Sequence, residues 1–419
     1  MSGLALTRAP QAGRPLRFLL TSPLWGIVAG LLLVAQPDAL ALGRWAPATV
    51  ALVHVFTLGV LGNAMLGSML QFLPVAAGVP HAGLPLSHWA HAGLNAGLVL
   101  FLCGLLHLRA LLLPASALMI AALVVVAAPV LPALLRRGAQ RVLRAGLGAA
   151  VVALGATVVS GMLAAAVLAG HLAWPLDRLV DAHATLGLVG WVLGLLLAVG
   201  SMTVPMFQGT AAIPAWWLAA GLTAIGSVLL AGVIGRLAGA PAPMLVPALA
   251  LAAIGFGLTV LRLQWRPPHR RNPALVGFWR AGSVALLAAG VATCIAAAGV
   301  SERAGMLAGV LGIGIGIPLL VNGMLLEIVA FVSWIALRGR CPRGVRIPAV
   351  GRLLPDRDKA IALAAHCVAA ALLTATAIRP ALTAGAGLAL IGAYAISTAC
   401  VLRCLHRARA FAREHGTPA

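Results

Sequence analysis

The sequence predicts an all-α protein, a polytopic membrane helical bundle of about twelve transmembrane helices with both termini cytoplasmic. Three observations carry this. Hydrophobic residues make up 62% of the 419-residue chain and charged residues 9%, against about a quarter charged in soluble proteins, so too little polar surface exists to face water. The apolar residues gather in continuous runs near the ~20 residues that cross hydrocarbon as a helix, without the alternation of barrel strands. The basic residues fall between those runs, mostly on one side.

Taken in order, the runs cover approximately 18–36, 47–73, 87–108, 111–134, 145–170, 183–208, 214–236, 243–263, 276–299, 304–337, 360–378 and 381–403. Residues 1–17 form a cytoplasmic N-terminal tail, 18–403 a single twelve-helix domain and 404–419 a basic cytoplasmic C-terminal tail. The first run follows Arg8, Arg14 and Arg17 but has no small-residue cleavage site and is followed by more spans, so it is expected to be retained. With the N-terminus inside, only Arg44, Arg109, Arg178, Arg236, Arg303 and Arg379 of the 29 basic residues fall outside, which satisfies the positive-inside rule. The net charge of +21 is therefore a topology signal with attraction to membrane lipids, and no nucleic-acid partner is expected.

Tryptophans mark the span ends, Trp45 and Trp174 outside, and Trp89, Trp216, Trp217, Trp265, Trp279 and Trp334 inside. Close helix packing is signalled at Gly93/Gly97, Gly190/Gly194 and Gly312/Gly316. The run GIGIGIP from Gly312 lies within an apolar helix with no strand before it, which excludes a dinucleotide loop. The six cysteines form no CxxC pair and act as small hydrophobes, with no disulfide framework.

Polar groups in hydrocarbon are costly, so each one is a functional candidate. Seven of the eight acids are expected in loops or tails, and Glu327 alone lies deep in a span, sharing a helix face with Gly323, Phe331 and Trp334. Unpaired and ionised it would be costly, so it is neutral, wet or paired with a group the sequence does not identify. Outer-side histidines are His54, early in the second span, with His107, His171 and His183, the last opening the sixth span. His183 shares a face with Gly187, Gly190 and Gly194, a lane free of side chains that suits a flat macrocycle or another helix. On the inner side His88, His91 and Asn95 form one stripe, either a metal or proton site or a wet helix end. His366 is a lone histidine expected to be hydrogen-bonded within the bundle.

The stretch HVFTLGVLGNAMLGSMLQFLPV from His54 resembles the second span of the haem–copper oxidase catalytic subunit and of the NnrS-type haem and copper membrane proteins. DAHATLGLVGW from Asp181 has a similar layout and suggests a weak internal repeat, and NGMLLEIVAFVSW from Asn322 resembles a late-span motif of the same group. These motifs cover about a sixth of the chain. The resemblance implies a bacterial-type inner (plasma) membrane protein with haem b or copper as cofactor, respiratory or denitrification membrane proteins as partners, and haem ligation by His54. It leaves the axial partner of His54 open among His107, His171, His183 or none.

The complete oxidase centre is not present, because the seventh and tenth spans contain no histidine and the single tyrosine, Tyr394, lies in the twelfth. No catalytic residue is assigned. Three functions follow: a haem- or copper-binding redox, nitric-oxide-response or maturation protein; a proton-coupled transporter using Glu327 and Asn322, with Pro318 interrupting the span; or a structural subunit of a membrane complex.

Overall fold

The computed structural model describes residues 6–79, 84–136, 138–265, 272–342 and 344–416; His81, His269, Arg137, Arg266, Arg270, Arg271 and Arg343 lie outside them. Among the described residues the chain is helical without strands, and twelve helices are long and apolar enough to cross a membrane. We number them α1 (Gly13–Ala35), α2 (Pro47–Val75), α3 (Ser87–Leu106), α4 (Arg109–Leu135), α5 (Arg141–Leu168), α6 (Leu176–Gln208), α7 (Ala215–Leu237), α8 (Ala242–Trp265), α9 (Pro273–Ala297), α10 (Arg303–Arg340), α11 (Asp356–Ala375) and α12 (Pro380–His415). Proline opens α2 and α9, where its missing N–H costs nothing. α6 ends at Gly209, whose φ of 66° only glycine adopts freely.

Two boundaries differ from the sequence expectation. α6 begins at Leu176, so His183 sits two turns inside it instead of opening it. The added turns are amphipathic and carry Asp177 and Asp181, which hydropathy alone excludes from a span but which ion pairing accommodates. At the other end, α12 runs on through His415, so residues 404–415 continue a helix; Arg407 ties this extension to Asp358 in the first turn of α11 at 3.1 Å.

The bundle repeats one arrangement three times. In each set of four helices the first packs on the second and third, the third on the fourth, and the fourth on the first helix of the next set, with α12 closing the ring on α1. This places α2, α6 and α10 at the centre. α2 packs on α10, Phe207 of α6 meets Phe331 of α10, and His54 of α2 meets His183 of α6. Outer helices such as α7 turn Leu230 and Ile234 outwards, the surface that hydrocarbon accepts.

The three central helices share a second feature. Val55–Gly62, Leu186–Leu193 and Val310–Gly316 are wound as π-helix, a rare form that recurs at functional sites. The first and third segments end at a glycine, and Gly194 follows the second. A Cβ at Gly62 or Gly316 would lie 3.3 or 2.9 Å from the carbonyl oxygen five residues earlier, tighter than ordinary contact, whereas one at Gly194 would meet its carbonyl at an ordinary 3.5 Å.

The small-residue pairs mark helix contacts as expected: a Cβ at Gly97 would lie 3.1 Å from the Met119 nitrogen of α4, and one at Gly190 would lie 2.6 Å from Ala153 of α5. Tryptophans at helix ends are exposed, Trp265 most of all. Trp334 is half-buried on Phe331, and Trp279 is buried in the core against Phe256.

Candidate metal centre

His54 closes the α-helical start of α2, and its Nδ1 donates to the Val50 carbonyl at 2.8 Å. His183 lies on α6, and its Nδ1 donates to the Thr157 carbonyl of α5 at 2.9 Å. A carbonyl can only accept, so each Nδ1 carries a proton, and in the neutral ring the lone pair is then on Nε2. Neither Nε2 has a hydrogen-bond partner. The rings are nearly parallel, with centroids 6.1 Å apart and planes inclined by 16°. An imidazole coordinates a metal through a ring nitrogen at about 2 Å, so the Nε2 atom of each ring is the one left to coordinate.

Local sequence sets both rings. Gly161 of α5 leaves the space that the His183 ring occupies; a Cβ there would lie 2.8 Å from its Cε1. Phe101 of α3 packs on the His54 ring at 4.8 Å. A Thr-Leu-Gly begins three residues after His54 and two after His183, and the Thr57 and Thr185 hydroxyls each donate to the carbonyl one turn back.

The ends of α2 and α6 are held together by residues that the sequence reading left in loops. Asp181, buried two residues before His183, accepts from Arg44 at 2.7 Å and from Arg236 at 2.8 Å. Arg236 also bonds Asp177. Arg44 lies on the segment leading into α2, and Arg236 ends α7. One carboxylate therefore clasps the approaches to both histidine-bearing helices. A signal was available, because Asp181 opens the quoted motif and Arg44 and Arg236 are among the few basic residues on that side.

The remaining sequence candidates divide. The structure brings His183 to His54, whereas His107 and His171 are exposed at helix ends. Gly187 and Gly190 face α5, where Thr157 and Ala153 fill the lane, so the lane is a helix contact with no room for a macrocycle. His88 and His91 diverge: His88 is exposed and bonds Pro85, while His91 shares a 2.9 Å hydrogen bond with the Thr21 hydroxyl of α1. Asn95, on the same stripe, accepts from Trp25 at 2.6 Å and exchanges hydrogen bonds with Asn63, tying α1, α2 and α3. No group of three or more His, Cys, Asp or Glu able to hold a metal occurs among the described residues.

Glu327 has the partner that the sequence did not identify. Lys359 of α11, the only lysine in the chain, donates to it at 2.7 Å, as does Asn272 before α9. Lys359 also pairs with Asp356 at 2.8 Å. Asn322 donates to Ser397 of α12 at 3.1 Å. His366 bonds the Ala362 carbonyl through Nδ1 and packs on Tyr394; its Nε2 and the tyrosine hydroxyl have no partner and border a small cavity. Compared with known proteins, the chain matches no family model and no curated protein.

Proposed function

We propose that this multi-pass membrane protein holds a redox metal ion, copper or iron without a macrocycle, at His54 and His183, and that it serves electron transfer, nitric-oxide response or respiratory maturation in a bacterial inner membrane. One observation supports the reading: two imidazoles from the central helices lie with ring centroids 6.1 Å apart, each with Nδ1 bonded to a backbone carbonyl and Nε2 unused. The donor chemistry fits, since imidazole suits both iron and copper. Bound there, the metal would supply one-electron chemistry. The chain's own part is to fix both rings through backbone carbonyls and to hold their helices in register through Asp181. Reduction of dioxygen or nitric oxide is no part of this reading, because α7 and α10 carry no histidine.

The test is an absorption spectrum of the detergent-purified chain, oxidised and dithionite-reduced, with iron and copper quantified on the same sample. The reading expects about one metal per chain, lost in both His54→Ala and His183→Ala. A full metal complement in His183→Ala would overturn the pairing.

A second reading, proton-coupled transport, has its own observation in the buried Glu327–Lys359–Asp356 chain, which reaches the exposed Asp356 carboxylate. It expects pH-dependent flux that Glu327→Gln abolishes in folded protein; unchanged flux would remove Glu327 from any coupling role.

A further inference from the structure

A cavity bordered by the described residues lies apart from the histidine pair, at the Arg-rich end. Its volume is about 960 Å³, and it opens between the start of α1, the end of α2, the start of α3 and the end of α10. Arg14, Arg17, Arg338 and Arg340 line it together with His88 and Gln71, and no carboxylate does so among the described residues. The acids explain why: Glu327 and Asp356 are committed to Lys359, Asp358 to Arg407, and Asp177 and Asp181 to Arg236 at the opposite end. Neither Arg14 nor Arg17 has a carboxylate partner. Guanidinium groups gathered around one space repel each other unless an anion enters it.

Two further features aim at the same space. The N-terminal residues of α1 and α3 border the cavity, and neither helix has a side-chain cap, so the positive ends of two long helix dipoles point towards it. Gln71, only 5% exposed, lines the cavity with an amide whose oxygen and nitrogen both lack a hydrogen-bond partner. A buried amide without a partner is costly unless a ligand or water completes it.

We propose that this cavity is a binding site for a phosphate-bearing anion. A phosphate group, with up to two charges and several acceptor oxygens, matches several guanidinium forks better than a single carboxylate does. Gln71 would contribute a neutral donor at the cavity floor. The same chemistry is presented by a soluble phosphate compound and by the headgroup of an anionic lipid, and the experiment separates the two.

Full-length protein is purified in neutral detergent and probed in two arms: pyrophosphate by isothermal titration, and phosphatidylglycerol by its retention in native mass spectrometry against phosphatidylcholine. The double variant Arg14→Gln/Arg17→Gln is compared with Arg403→Gln/Arg409→Gln, which removes the same charge at the same end from exposed positions on α12. Arg338→Gln serves as a second cavity variant should the first fail to fold. The proposal expects at least one probe to bind, with affinity or retention falling at least about tenfold in the cavity variants and less than about twofold in the control, as loss of charge-assisted hydrogen bonds requires. A response to pyrophosphate identifies a soluble phosphate site, and a response to phosphatidylglycerol alone identifies a headgroup site. Binding of neither probe, or an equal loss in the control, overturns the site.

Discussion

The central helices of the first two repeats and that of the third have the same backbone and different chemistry. α2, α6 and α10 all occupy the middle of the bundle and all contain a π-helical segment with a glycine at or just after its end. Only α2 and α6 carry a histidine just before that segment; α10 carries none anywhere. The π turn is thus a property of the repeated fold, and the imidazoles are what distinguishes two copies from the third. The charge placement differs in the same way. The histidine-bearing helices are clasped at their ends by Asp181, whereas α10 is held to α9 and α11 by the buried Glu327.

The largest expected effect falls on the histidines. Changing a group that merely supports a metal ligand costs about 10–100-fold in metal affinity, so His54→Ala and His183→Ala should each exceed that. His366→Ala, on α11, should leave the metal content unchanged. Equal loss in all three, measured by metal analysis after gel filtration, would erase the distinction between the repeats.

Next come the two carboxylates. Removing one partner of a buried ion pair costs about 3–5 kcal/mol, so Asp181→Asn and Glu327→Gln should both lower the melting temperature in detergent. They should differ in metal content: Asp181→Asn lowers it because both histidine helices lose their clasp, and Glu327→Gln retains it. A normal metal content in Asp181→Asn would show that the pair is held by α5 and the backbone alone.

Smaller effects test the shared backbone. Gly62→Ala and Gly316→Ala each force a methyl towards a carbonyl, at 3.3 and 2.9 Å, and overpacking of this kind costs about 1–3 kcal/mol. The loss should be greater at Gly316, read as the difference in melting temperature. Least of all, Ser22→Ala removes the 2.8 Å hydrogen bond to the Val60 carbonyl inside the first π segment and should cost about 1 kcal/mol. No change there would mean that the π turn of α2 needs no support from α1.

Much of this was legible in advance. Continuous apolar runs located all twelve helices because hydrocarbon demands length and composition above all. His54 and His183 were visible because so few polar residues occur in the spans. The beginning of α6 was not, because hydropathy penalises Asp177 and Asp181 without knowing that Arg236 waits at the end of α7. Glu327 was seen as needing a partner, yet Lys359 sat near an expected loop boundary with nothing in its neighbourhood to link it across 32 residues. The glycine lane on α6 allowed a macrocycle or a helix, and only the position of α5 decided between them.

By itself, then, the sequence determined the solvent, the number of crossings and the short set of side chains able to do chemistry, since these follow from composition and local order along the chain. Only the tertiary structure decided which of those side chains meet. His54 and His183 are separated by 129 positions, and whether their rings come together depends on how α2, α5 and α6 pack around glycines and one buried aspartate. The Arg-lined cavity has the same origin: its arginines come from opposite ends of the chain and border one space only once the helices that carry them are side by side.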